Sequence, residues 1–223
     1  MAGLTSSTIG RKYAMALSAM FLLIFLIMHL SVNLLSLGGE NGPFNAASYF
    51  MGYNPLIQFV MQPILVIGVI FHFVMGFILE IRNRNARPVK YAVNGAAANS
   101  TWMSRNMIVS GAVILAFLGL HMYDFWLHEM TYKYIPGEGD ANDLTRFWGE
   151  LHGKFAELWR VIIYVVSFIL LGLHLAHGFQ SSFQSVGARH PKYTPVIKAI
   201  GTWYSILIPA GFIFIAVFHF VTQ

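Results

Sequence analysis

The sequence predicts an all-α integral membrane protein with five transmembrane helices, forming a single domain over residues 1–223. Two observations support this fold class. Of the 223 residues, 57% are hydrophobic and only 10% are charged, whereas soluble domains carry about 25% charged residues. The few charged residues are also separated by long charge-free stretches. Such a chain belongs to the membrane class.

Each charge-free stretch holds an apolar run close to the roughly 20 residues that a helix needs to cross a bilayer. The predicted helices I to V cover about residues 14–37, 57–80, 105–127, 158–181 and 200–222, with segments 38–56 and 86–104 as connectors. Pro63 and Pro209 fall inside helices II and V, where proline can kink a helix.

Basic residues collect on one side of this predicted arrangement. That side holds Arg11, Lys12, Arg82, Arg84, Arg87, Lys90, Arg105, Arg189, Lys192 and Lys198, and the other holds Lys133, Arg146, Lys154 and Arg160. Because cytoplasmic loops are enriched in Lys and Arg, this excess of ten basic residues over four predicts a cytoplasmic N-terminus. The same bias accounts for the net charge of +5 without a nucleic-acid partner.

Four helices each carry a histidine deep in an apolar run. His29 and His121 lie about 15 residues into helices that run outward, and His72 and His174 lie similarly far into helices that run inward. At about 1.5 Å per residue they form two level pairs roughly 14 Å apart. Ionisable groups at this depth are costly and usually functional. His177 is the alternative to His174, although its depth matches His72 less well.

The residues around these histidines favour a porphyrin over a bare metal ion. Gly68 and Gly76 lie four residues either side of His72, and Gly178 lies four after His174. Their missing side chains leave room for a flat macrocycle on the same helix face. Non-haem sites usually add carboxylates, and Asp124 is the only one nearby. The absence of cysteine excludes iron–sulfur clusters held by this chain and c-type haem attachment. Interhelical hydrogen bonding is the simpler alternative for any single histidine.

Four segments together resemble a known family: FLIMHLSVN, GPFNAASYF, VIFHFVMGF and LGLHLAHGFQSSFQ. They are similar to the di-haem cytochrome b membrane anchor of succinate:quinone oxidoreductases, which include succinate dehydrogenases and menaquinol:fumarate reductases. The resemblance implies a bundle of helices I–IV with two b haems, the outer held by His29 and His121 and the inner by His72 and His174. It favours His174 over His177.

The resemblance also implies the setting of the chain. A flavoprotein and an iron–sulfur protein would bind on the cytoplasmic side of a bacterial inner membrane, and the complex could form a higher oligomer. The substrate in the lipid would be a quinone, commonly menaquinone. Two other classes remain open at this stage: a hydrogenase or formate dehydrogenase cytochrome b anchor, and a transporter with a histidine proton relay.

Two further sets of residues are candidates for function. Arg82 and Arg84, at the end of helix II, are expected to bind inner haem propionates or the iron–sulfur partner through charge-assisted hydrogen bonds. Quinone chemistry is expected on the outer side, with Asp124 as the proton-exchange group. The other quinone candidates are Asn33, Asn45, Tyr49, Gln62, Tyr123, His128 and Glu129.

Overall fold

The computed structural model describes residues 7–86, 102–137, 140 and 143–223. Among these residues every regular element is helical. Five helices are long and apolar enough to cross a membrane: helix I, Thr8–Gly38; helix II, Ile57–Asn85; helix III, Met107–Tyr134; helix IV, Leu158–Ser185; and helix V, Thr194–Val221. The prediction of an all-α chain with five such helices is confirmed.

The helices extend beyond their predicted apolar cores because polar residues continue them. Helix I begins at Thr8, where the Ser7 hydroxyl caps it by accepting a hydrogen bond from the Gly10 amide at 2.9 Å. Helix II runs on to Asn85, and Glu80 and Arg84 form an ion pair of 2.6 Å on its last turns. Helix III continues to Tyr134 through a π-helical segment, Met122–Leu127.

The connectors contain helices that the hydropathy pattern does not predict. Phe44–Tyr53 forms a short helix inside the predicted connector 38–56, and Arg146–Lys154 forms another between helices III and IV. A second π-helical segment, Ile57–Met61, opens helix II. The connector 86–104 lies mostly outside the described residues, as do Arg87 and Lys90.

Helices I to IV form a four-membered ring. Helices I and III each pack against both II and IV, so helix I lies diagonally opposite helix III, and helix II opposite helix IV. Helix V packs outside this ring, mainly against helix IV. We call the end where helix I begins the N side and the opposite end the far side. The two short helices, Phe44–Tyr53 and Arg146–Lys154, lie on the far side.

Candidate functional site

One histidine pair lies toward the N side, on the diagonal between helices II and IV. Its members are His72 of helix II and His174 of helix IV. Each ring is held by a serine of a neighbouring helix: the Ser18 hydroxyl of helix I lies 3.1 Å from His72 Nδ1, and the Ser110 hydroxyl of helix III lies 3.1 Å from His174 Nδ1. His174, not His177, makes the Ser110 contact.

The two serines determine which ring nitrogen carries the proton. Ser18 donates its hydroxyl hydrogen to the Met15 carbonyl at 2.8 Å, and Ser110 donates to the Met107 carbonyl at 2.9 Å. Each hydroxyl can therefore only accept from the imidazole, so Nδ1 is the donor in both histidines. Nε2 of each ring is left with a free lone pair, which is the form of histidine that binds a metal.

The second pair, on the diagonal between helices I and III, lies toward the far side. The rings of His29 and His121 have centroids 5.8 Å apart with planes at 87°. Metal–imidazole bonds of about 2 Å place two rings on opposite faces of one metal at a centroid separation of about 6 Å. The pair is therefore spaced for shared coordination after small shifts.

Aromatic rings surround the far-side pair. Phe25 stacks on His29 at 5.3 Å, and Phe212 of helix V lies 5.6 Å from the same ring. Phe117 and Phe125 flank His121 at 5.8 and 5.2 Å. This environment is apolar and suits a planar macrocycle more than a hydrated ion.

Helices I and III carry the same spacing of site residues. Ser18 precedes His29 by eleven residues, and Ser110 precedes His121 by eleven residues. Eleven residues are close to three helical turns, so serine and histidine share a helix face about 16 Å apart. Each of these helices therefore supports the N-side pair with its serine and supplies the far-side pair with its histidine. The spacing is visible in the sequence once serine is considered as a partner of histidine.

The glycines expected to make room for a macrocycle face side chains of neighbouring helices. A Cβ on Gly68 would lie 2.9 Å from Phe21, one on Gly76 would lie 3.7 Å from Met15, and one on Gly178 would lie 3.5 Å from Met107. Phe21 and the two methionines would have to turn aside for a macrocycle, so the glycine role stays a prediction. Gly111 was not predicted; a Cβ there would lie 3.6 Å from His174 Cε1.

Asp124 is fully buried between helices III and IV. Its Oδ2 accepts hydrogen bonds from the Arg160 side chain at 3.1 Å and from the Tyr164 hydroxyl at 2.9 Å. Tyr164 is 1% exposed, and its ring centroid lies 6.2 Å from that of His121. Arg160 and Tyr164 were not predicted as site residues. The signal in the sequence is an arginine and a tyrosine one turn apart at the start of helix IV.

The structure separates the predicted quinone residues into three places. Asn33 donates to the His29 carbonyl at 2.8 Å, and Gln62 lines a far-side groove between helices II and III. The remaining five lie at the far-side end of the helices: Asn45, Tyr49, Tyr123, His128 and Glu129. Asn45 bonds the Trp148 amide at 2.7 Å, and Tyr123 is 63% exposed.

The groove beside Gln62 adds residues that the sequence did not single out. Its polar groups include Gln58 and the Tyr134 hydroxyl, which bond each other. Apolar walls come from Phe59, Val66, Ile67, Trp126 and Met130, together with Pro63. Both walls include π-helical turns, since Gln58 lies in Ile57–Met61 and Trp126 in Met122–Leu127.

Glu129 belongs to a cluster of ion pairs that joins the far-side elements. Arg146 bonds Glu129 at 2.5 Å and Glu150 at 2.7 Å, while Lys133 bonds Glu129 at 2.8 Å. Burial alone would lower the pKa of Arg146, but the hydrogen bonds and charges of Glu150 and Glu129 raise it above the ordinary value. His128 Nε2 lies 3.5 Å from Glu150 at the edge of this cluster.

At the N side, Arg82 and Arg84 are both exposed on the last turns of helix II. Arg84 pairs with Glu80.

No protein-family model, curated protein or solved structure matches the chain.

Proposed function

We propose that the chain is the cytochrome b membrane anchor of a succinate:quinone oxidoreductase and binds two b haems. The observation that carries this proposal is that four histidines form two pairs in one bundle. Each pair lies across a diagonal of the bundle, one toward the N side and one toward the far side. Within the N-side couple, Ser18 and Ser110 fix Nδ1 as the donor and leave Nε2 for iron. His29 and His121 would hold the far-side haem, and His72 and His174 the N-side haem.

Bis-histidine haem supplies one-electron transfer and leaves no coordination site for dioxygen. The chain would contribute the ligands, the hydrogen bonds that orient the N-side pair and the aromatic rings that surround the far-side pair. A proton relay is less well supported, because the hydroxyls of Ser18 and Ser110 donate to backbone carbonyls rather than onward to another titratable group.

The orientation belongs to the same proposal. The sequence predicts ten of the fourteen Lys and Arg residues on the N side, so that side would face the bacterial cytoplasm. The iron–sulfur and flavoprotein partners would dock there, close to Arg82, Arg84 and the N-side haem. Hydrogenase and formate dehydrogenase anchors place haem in membranes too, and the co-purifying partners distinguish them.

Quinone would react on the far side. The groove between helices II and III offers amide and phenol groups from Gln58, Gln62 and Tyr134 beside an apolar wall. Hydrogen-bond donors at such a site bind quinone carbonyls, while an apolar channel suits the isoprenoid tail. Menaquinone is the expected species. Proton exchange by Asp124 stays a prediction. Its Oδ2 accepts hydrogen bonds from Arg160 and Tyr164, so that oxygen already has two partners within the chain.

The test is to purify the chain with its neighbouring-gene products and to measure haem per polypeptide with a reduced-minus-oxidised spectrum. We expect two b haems and co-purification of a flavoprotein and an iron–sulfur protein. Purified, folded protein without haem would overturn the proposal. Two haems with a hydrogenase or formate dehydrogenase partner would overturn only the assignment to succinate:quinone oxidoreductase.

A further inference from the structure

Two of the buried polar atoms on helix III that lack a hydrogen-bond partner within the described part of the chain lie in its middle turns. They are Nδ1 of His121 and Oδ1 of Asp124. The two residues are one helical turn apart. Buried polar groups are nearly always paired, and each exception needs an explanation.

The two atoms have complementary hydrogen-bonding roles. If His121 binds iron through Nε2, its neutral ring must carry the proton on Nδ1, which makes Nδ1 a donor. Asp124 Oδ2 already accepts from Arg160 and Tyr164, while Oδ1 accepts from nothing in the described part of the chain. An unpaired donor and an unpaired acceptor therefore lie on consecutive turns.

One residue of helix IV lies close to both side chains. Tyr164 contacts both residues: its ring lies 6.2 Å from the His121 ring, and its hydroxyl donates to Asp124 at 2.9 Å. Arg160, one turn earlier on helix IV, pairs with the same carboxylate oxygen. The π-helical segment Met122–Leu127 begins directly after His121 and includes Asp124, and π turns change the rotation per residue relative to an α-helix.

We propose that Asp124 accepts the Nδ1–H of His121, directly or through one water molecule, and so acts as a positioning residue for the far-side haem ligand. This inference rests on the proposed haem function. A carboxylate partner fixes the tautomer of a ligating histidine and raises its basicity. The N-side ligands have neutral acceptors, Ser18 for His72 and Ser110 for His174.

A more basic ligand stabilises ferric over ferrous iron. Asp124 therefore lowers the midpoint potential of the far-side haem and leaves the N-side haem unchanged. This role differs from proton exchange with quinone, which predicts slower quinone turnover with both potentials unaltered.

The experiment is a redox titration of both haems in the purified complex, with low-temperature EPR of the ferric state, for wild type, Asp124→Asn and Asp124→Glu. Glu157→Gln is the matched control, since Glu157 also pairs with Arg160, at 2.6 Å, but is half exposed. We expect Asp124→Asn to raise one of the two potentials and to change one EPR signal, Asp124→Glu to restore both, and Glu157→Gln to change neither.

Three results would count against the inference: equal shifts in Asp124→Asn and Glu157→Gln, no shift in Asp124→Asn, or a shift in Asp124→Glu as large as in Asp124→Asn. Loss of one haem from Asp124→Asn, with retention at the wild-type potential in Asp124→Glu, would support it. Wild-type protein without haem would instead refute the proposed function.

Discussion

Ser110 accepts a hydrogen bond from His174 across the interface between helices III and IV, at 3.1 Å. The equivalent contact between Ser18 and His72 has the same length. The two bonds join helix I to helix II and helix III to helix IV, and each serine lies on a helix that also carries a far-side histidine. The N-side pair is thereby oriented by the helices that supply the other pair.

Removing a ligand should remove one haem and leave the other. We expect His29→Ala and His121→Ala to lose the far-side haem, and His72→Ala and His174→Ala to lose the N-side haem. Haem quantification per polypeptide measures the loss. His177→Ala is the matched control on helix IV and should retain both haems; the reverse result in His174→Ala and His177→Ala would assign the ligand to His177.

Removing a supporting serine should weaken only the N-side site. Ser18→Ala or Ser110→Ala leaves an imidazole Nδ1–H without its acceptor, and loss of such a partner typically weakens metal affinity about 10–100-fold. Haem retention during stepwise washing with a haem-binding competitor measures this. Ser31→Ala is the control, because Ser31 also bonds a backbone carbonyl of helix I, at 2.8 Å, but is exposed. Equal haem loss in control and test variants would contradict the prediction.

Replacing the amides of the far-side groove should impair quinone chemistry alone. Gln62→Leu and Gln58→Leu remove polar groups beside Trp126, so we expect a higher KM for quinone and slower turnover. Succinate oxidation with a soluble acceptor and haem content should stay at wild-type levels. Gln184→Leu, at the N-side end of helix IV, controls for loss of an amide. Wild-type quinone kinetics in both groove variants would exclude the groove.

Neutralising the basic end of helix II should weaken assembly. Arg82→Gln combined with Arg84→Gln removes two exposed charges, and we expect less iron–sulfur partner to co-purify, most clearly at low salt where screening is weak. Lys154→Gln, which removes one basic charge on the far side, is the control, and each single arginine variant is compared with it. Unchanged co-purification and unchanged haem content in the double variant would leave these arginines with a topological role only.

Breaking the far-side ion-pair cluster should destabilise the protein. Arg146 has a side chain only 6% exposed and two carboxylate partners. Removing one member of a buried pair costs about 3–5 kcal/mol, so Arg146→Gln should lower the thermal midpoint. Arg84→Gln removes an ion pair from an exposed guanidinium and should have little effect, because exposed pairs contribute about 0–1 kcal/mol. Equal midpoints in the two variants would show that the cluster is not a stabilising element.

Hydropathy and charge were sufficient to predict the five spanning helices, and depth along them paired the four histidines. Hydropathy and depth do not give the rotation of each helix about its own axis. That rotation places Ser18 within hydrogen-bond distance of His72, and Asp124 within hydrogen-bond distance of Arg160 and Tyr164. The π-helical turns could not be predicted either, since a one-residue widening of a turn does not alter the composition of an apolar run. Hydropathy does not give the bounds of the helix Phe44–Tyr53, because it is short and lies in a segment rich in glycine and asparagine.

Ser18 and His29 are eleven residues apart, and so are Ser110 and His121. Because serine and histidine must share one helix face, the separation of the two histidine levels can take only certain values. Inserting one residue between serine and histidine would rotate one of them by about 100° and remove it from the bundle axis. Only a change of a whole turn, three or four residues or about 5 Å, preserves both contacts. The distance an electron would travel between the two levels is therefore set by an integer number of helical turns, and it would have to change in helices I and III together.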